Sequence, residues 1–356
     1  MLSGKELILA TKQFAHEVKW KSWFHTLSTF ALLLASIIGT FAFSNIYARL
    51  ACSIAEAALL SRFFIIFHDF QHHTILHKSK VANAIFTVFG IYMITPPSIW
   101  KRSHDHHHSH NAKLFSASIG SYPIMTRQKF EEASAKERFE YLAIRHPLNM
   151  FMAYFTTFLY GMCIQSFLAN PRKHWDSFAI FVAHVSVAVF LFVKFGWLVW
   201  FIGFFLPFFL SHMLGAYLFY AQHNFPGVSF KTNAEWNYAQ AALESSSYMK
   251  MGPVWRWITA NIGYHHIHHL NARIPFYRLP EAMEKMPELQ QGRITRLTIP
   301  DAIACLRLKV WDPERGRMIG FKEMHQAQAQ QQQEVAAQKK RAFRSRLFQL
   351  FPPAIK

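Results

Sequence analysis

The sequence predicts an all-α membrane protein: four transmembrane helices in two hairpins, with a cytosolic helical cap that carries clustered histidines. Three observations predict it. Two apolar runs are each long enough to cross a bilayer twice. The 356 residues are 52% hydrophobic and only 16% charged, against about a quarter charged in ordinary soluble domains. Three histidine clusters flank those runs instead of lying within them.

Residues 1–22 are polar and of mixed charge, without the short apolar core of a cleavable signal, so they are expected to form a cytosolic N-terminal segment. From Trp23 to Phe67 nearly every residue is apolar. As one helix this run would reach roughly 67 Å at about 1.5 Å per residue, over twice the roughly 30 Å hydrocarbon core. It is therefore two spans, broken near SNIYAR (Ser44–Arg49). Ser177–Tyr220 has similar length and breaks near KFGW (Lys194–Trp197). Val81–Trp100 is short and ends after Pro96 and Pro97, and Leu148–Ala169 is apolar too. Either one, if it crossed, would put the histidine clusters on opposite sides of the bilayer. Both are expected to be interfacial or re-entrant. Residues 23–320 form the membrane domain, and 321–356 a polar, low-complexity, basic tail that includes QAQAQQQQEVAAQKK and ends in RAFRSRLFQLF before PPAIK.

The formal charge of +18 raises nucleic acid as a partner. The long apolar runs make the lipid bilayer, with its anionic headgroups, the better match, and no nucleic acid is expected. Lys5, Lys12, Lys19 and Lys21 precede the first span, while the hairpin loops carry little beyond Arg49 and Lys194. The lysine and arginine bias thus puts both termini and the histidines on the cytosolic side of a multi-pass protein, a bacterial inner membrane being the expected setting. Cys52, Cys163 and Cys305 are far apart and give neither a CxxC metal site nor a disulfide framework.

The clusters are HDFQHH (His68–His73), HDHHHSH (His104–His110) and GYHHIHHLN (Gly263–Asn271). Residues spaced i, i+3 and i+4 share one helix face. His68 and His72 are i and i+4; His104, His107, His108 and His265, His268, His269 are both i, i+3, i+4. Each cluster is expected to aim its imidazoles at one point. Eight imidazoles exceed what one zinc takes and suit two metal ions. Imidazole serves iron, zinc, copper or nickel, so ligand type leaves the metal open. No inward Glu-x-x-His pair of the carboxylate-bridged kind is present. His223, just past the last span, is a further expected ligand. His73 and His266 lie within the clusters but off this template, and either bind metal or support the residues that do. Asp69, Asp105, Asn261, Asn271 and Trp100 are placed to orient the imidazoles. His184 and His212 fall inside the spans, where a bond to a neighbouring helix is expected. His16, His25, His77, His146, His174 and His325 are given no role.

Three boxes of the form H-x(3)-H, H-x(2)-H-H and H-x(2)-H-H, in this order relative to the spans, resemble the membrane fatty acid desaturase family. WKRSHDHHHSHNA is similar to its second box, NIGYHHIHHLNARIPFYRL to the third box of its bacterial acyl-lipid branch, and AQHNFPG to the segment with the extra histidine. The resemblance covers about residues 20–290. It implies two iron ions, no other prosthetic group, and O2 as co-substrate. The implied reaction removes two neighbouring hydrogens from a fatty acyl chain, leaving a cis double bond and water. It also implies an external electron donor such as ferredoxin. The substrate head group — free acid, thioester or lipid — stays open. The family scaffold also hosts hydroxylation, acetylenic bond formation and oxidative decarboxylation to terminal 1-alkenes. The last needs a carboxylate held near the metals, for which Lys101, Arg102, Arg273 and Arg278 are the available cations. A metal transporter would instead keep its ligands inside the spans, where only His184 and His212 lie.

Overall fold

The structure, a computed structural model, describes residues 2–114 and 120–350. Helices dominate, and among the described residues three are long and apolar enough to cross a membrane: Lys19–Ala42, Ile46–Gln71 and Trp175–His223. The first two form a hairpin. Phe43 is extended, and the Asn45 side chain accepts from the backbone N–H groups of Tyr47 and Ala48, restarting the helix at Ile46. The first helix buries Ser22, Thr26, Thr29, Ser36, Gly39 and Thr40 and turns Phe24, Leu27, Leu32 and Ile38 outward. Small residues inside and large apolar residues outside is the pattern of helices packed in lipid. A Cβ at Gly39 would lie 2.7 Å from Cys52 Sγ, so glycine sets how closely the hairpin closes.

The third segment runs 49 residues. It is not one straight rod. Gly196 has φ 81° and ψ 168°, a conformation costly for residues with a Cβ. Across that point the His184 ring lies 4.8 Å from Phe204 and 5.0 Å from Phe208. Residues 20 or more apart would be about 30 Å apart on a straight helix, so the chain reverses at Gly196, inside the KFGW break read from the sequence.

Lys80–Tyr92 has 13 residues, about 20 Å of helix, which is short of the hydrocarbon thickness. The other ambiguous stretch is wound as short pieces: Pro147–Phe151, a π-helical Tyr154–Gln165, and Ser166–Ala169. The first long helix starts at Lys19, four residues before the apolar run, and residues 4–14 fold back with Leu7, Thr11 and Phe14 buried. Two short strand pairs escape the sequence reading: Tyr248–Lys250 with Ile294–Arg296 in parallel, and Val310–Asp312 with Arg317–Ile319 antiparallel. The tail is a helix, Phe321–Leu350. Its basic and aromatic end, 341–351, lies outside the side chains described beyond Ala342, and 351–356 lie outside the described residues.

Candidate metal centre

Among the described residues, nine histidines gather in two groups. One is His68, His72, His104, His108 and His268; the other is His107, His223, His265 and His269. In each group the ligand atoms lie within 4.8 Å of one another. These are the nine residues singled out from spacing and resemblance, but they are dealt out differently. The expectation that each cluster aims at one point is overturned. On Trp100–His110, His104 and His108 serve the first group and His107 the second. On His265–Leu270, His265 and His269 serve the second group and His268 the first.

Helix geometry explains the split. At about 100° per residue, i and i+4 stand about 40° apart, whereas i+3 stands about 60° to the other side of i. The two outer histidines therefore pair, and the middle one faces away. His68 and His72 complete the first group from the end of Ile46–Gln71, where His72 is the capping residue. His223 completes the second from the last turn of Leu206–His223.

The nitrogens that converge are all Nε2. In the first group the contacts are His68–His72 3.3 Å, His72–His104 2.9 Å, His104–His108 3.1 Å and His108–His268 3.2 Å. In the second they are His107–His223 3.1 Å, His107–His269 3.2 Å, His223–His265 2.8 Å and His265–His269 3.1 Å. Ligand nitrogens at right angles on an ion, each about 2.1 Å from it, stand about 3.0 Å apart. The spacing thus fits an ion at the centre of each group.

Electrostatics agree. Burial, followed by neighbouring imidazoles, holds His104, His107, His108, His265, His268 and His269 well below the usual imidazole pKa. They are neutral at neutral pH, the form that binds metal. His223 donates from Nδ1 to the Ser245 carbonyl at 3.1 Å, which leaves Nε2 as the bare nitrogen. His107 Nδ1 meets Ser121 Oγ at 2.5 Å, and Tyr238 donates its O–H to the His269 carbonyl at 2.7 Å.

The other singled-out residues surround these groups. Asp69 is buried, with Oδ1 3.5 Å from His68 Nδ1 and Oδ2 accepting from the Phe276 N–H at 2.7 Å. Trp100 stacks on His104 with ring centres 5.0 Å apart. Asn261, at φ 60°, donates to the Phe276 carbonyl, and Asn271 to Thr11 Oγ1. His266 turns away from both groups to the Leu289 carbonyl at 2.8 Å. His73, at φ 57°, is exposed, its ring 6.0 Å from His77. Asp105 pairs with Lys101 at 2.6 Å on the surface, and Arg102 is exposed. Arg273 donates to the His73 carbonyl, and Arg278 pairs with Glu281 at 3.0 Å. His184 bonds Tyr154 Oη at 2.6 Å, and His212 Nε2 faces the Met93 carbonyl at 3.3 Å.

Sequence reasoning missed Glu56 and Arg62, both buried inside the second long helix. Tyr92 donates to Glu56 at 3.3 Å, and Arg62 reaches Thr29, Trp257 and His25. Single charges in an apolar run were the available signal. Ser121 and Ser245 carried none.

The comparisons with known proteins come to the same place. A family model described as fatty acid desaturase matches residues 44–298, which hold all nine histidines. A fatty acid desaturase of Bacillus subtilis is 29% identical over 274 residues, 77% of this chain and 77% of that one. An sn-1 oleoyl-lipid 12-desaturase of Synechocystis is 25% identical over 285 residues, covering 75% and 76%. A chloroplastic omega-6 fatty acid desaturase of Spinacia oleracea is 27% identical over 242 residues, covering 64% and 51%. With its histidine-lined centre and a match over most of its length, the chain belongs to the fatty acid desaturase family and is an oxidoreductase.

Proposed function

We propose that this protein is a membrane-embedded di-iron desaturase that introduces a cis double bond into the acyl chain of a lipid. The observation that carries the reading is the convergence of nine Nε2 atoms into groups of five and four. Iron would be held by His68, His72, His104, His108 and His268 on one side and by His107, His223, His265 and His269 on the other. When bound, the iron pair supplies the O2-dependent oxidation of an unactivated C–H bond. The chain's residues supply the rest. Trp100 and Ser121 hold the His104 and His107 rings in register. Ser245 fixes the proton of His223 on Nδ1. The buried Asp69 ties the end of the second helix to the backbone at Phe276, next to the third cluster.

The reaction also sets a demand. Loss of two hydrogens from CH2–CH2 releases two electrons, while reduction of O2 to water takes four. Two more must come from a one-electron carrier, for which a ferredoxin is the natural class. The long helices, read as four crossings that reverse at Asn45 and Gly196, would leave both termini and the histidine-bearing cap on the cytosolic side of a bacterial inner membrane. The substrate class follows the Synechocystis relative, whose name specifies an oleoyl-lipid.

Decarboxylation would need a free cation beside the metals. Lys101 is paired with Asp105 and Arg278 with Glu281, while Arg273 donates only to the His73 carbonyl and Arg102 is exposed, so the cations do not separate the two reactions. The names of the three relatives, all desaturases, favour desaturation. The test is gas chromatography–mass spectrometry of fatty acids and headspace hydrocarbons from bacteria expressing the chain, beside His268→Ala. A new internal double bond at unchanged chain length, absent in the variant, is expected. A terminal alkene one carbon shorter than a cellular acid would overturn the reading.

A further inference from the structure

Pro253–Ile258, PVWRWI, is a six-residue helix just ahead of the third histidine cluster. Its large side chains face outward: Val254 is 69% exposed, Trp255 42% and Trp257 46%. A helix this short has no stability of its own in water, yet this one is firmly held. Arg62, only 3% exposed, donates to the Trp257 carbonyl and to Thr29 Oγ1, and its guanidinium lies 4.4 Å from the Trp257 ring. Its other terminal nitrogen meets His25 Nδ1 at 3.2 Å. No carboxylate pairs with Arg62 among the described residues.

The level of this helix follows from the first hairpin. Trp20 and Phe43 are exposed aromatics at the two ends of the first long helix. They stand about 35 Å apart along the axis, a little more than the roughly 30 Å hydrocarbon core. Trp and Tyr collect at such boundaries. His25 lies little more than one turn from Trp20 and touches Arg62, so Arg62 and Trp257 sit at that same boundary. Trp257, tied through Arg62 to His25, thus lies beside the end of Lys19–Ala42 that carries the exposed Trp20 and Phe24. Lys19 and Lys21, flanking Trp20, and Lys250, just before Pro253, are exposed.

We propose that Val254, Trp255 and Trp257 form an interfacial anchor, seated between the anionic headgroups and the first acyl carbons of the bilayer. Interfacial binding of this kind combines buried apolar area with attraction between lysines and anionic lipid. The anchor and His265–Leu270 are joined by a short turn, so lipid contact sets the height of the third cluster above the membrane. This rests on the membrane reading of the long helices.

The experiment separates the two. Nitroxide labels are placed at Val254→Cys, Phe190→Cys and Gln240→Cys, each in a Cys52→Ala background, in nanodiscs of phosphatidylglycerol and phosphatidylcholine. Collision with O2 and with a water-soluble nickel chelate is read by power saturation. Phe190, on the outward face of Trp175–Trp200, is expected to be lipid-like, Gln240 water-like, and Val254 between them. Exchanging phosphatidylglycerol for phosphatidylcholine is expected to raise nickel access at Val254 by about twofold; no change would remove lysine attraction from the proposal. Val254 as water-like as Gln240, with Phe190 lipid-like, overturns the anchor alone. A water-like Phe190 overturns the membrane reading as well. Exclusion of both reagents at Val254, with dipolar broadening between copies, means that a second chain covers the helix and also overturns the anchor.

Discussion

His266 tests the distinction between a structural histidine and the proposed metal ligands. It is fully buried, yet its Nε2 bonds the Leu289 carbonyl and faces neither group. His266→Ala removes a ring that fills its site closely, since a Cβ built at Gly292 would lie 2.8 Å from His266 Cδ2. Emptying a buried site of this size costs about 2–4 kcal/mol. Leaving the Leu289 carbonyl unpaired adds about 1 kcal/mol or more. The sum, roughly 3–5 kcal/mol, corresponds to a fall of about 4–7 °C in Tm for a chain this large. Iron content is expected to stay near the wild-type value. The vacated space gives a second handle. Gly292→Ala alone overpacks the site and costs about 1–3 kcal/mol, but in the His266→Ala background its methyl enters the hole and recovers part of the loss. The assay is thermal unfolding in detergent beside iron by plasma mass spectrometry, for both single variants and the double. Loss of about half the iron with an unchanged Tm would refute the reasoning and make His266 a ligand.

Three other outcomes are expected. His223→Ala removes one of four nitrogens from the second group and lowers iron from about two per chain to about one or less, with helix content by circular dichroism unchanged; full iron retention would exclude His223 as a ligand. Ser121→Ala, which deletes the 2.5 Å contact to His107 Nδ1, is expected to weaken metal affinity by about 10–100-fold, measured by competition with a chelator. Iron retention should be flat with pH above about 6.5 and fall below it. The cluster imidazoles have folded pKa values depressed by burial. The unfolded chain therefore binds more protons as pH drops below about 6.5, so the folded, metal-competent state loses stability from there down to the folded values. Chelator-driven iron release followed from pH 8 to pH 4 checks this; release that is fastest at pH 8 would contradict it.

The sequence carried the histidines because their spacing is helical and local. It carried the breaks at Asn45 and Gly196 because polar and glycine residues interrupt runs too long for one crossing. It did not carry the division of His104, His107 and His108 between two groups. The i, i+4 pairing with i+3 turned away is local, but which group each face meets depends on where a second short helix and the ends of two long helices come to lie. Glu56 and Arg62 were hidden by averaging over an apolar run, although a single buried charge weighs more than its neighbours. The packing of residues 4–14, with Thr11 against Asn271, joins positions 260 apart, and no local pattern encodes it. The same holds for Ser121, whose contact to His107 is made by a loop.

The crossed arrangement of the histidines has a further consequence. The Trp100–His110 and His265–Leu270 turns each face both groups, so neither turn can rotate to suit one ion without moving ligands of the other. If the two groups hold iron as proposed, an ion in one group would order both helices and leave less ordering for the other to supply, which would make loading positively cooperative. On the two-iron reading, loss of a ligand from one group would then also weaken the other, so His223→Ala would lower occupancy at both. The same linkage makes the spacing between the two histidine groups a property of two helices instead of loops, so sequence change in the loops leaves that spacing in place.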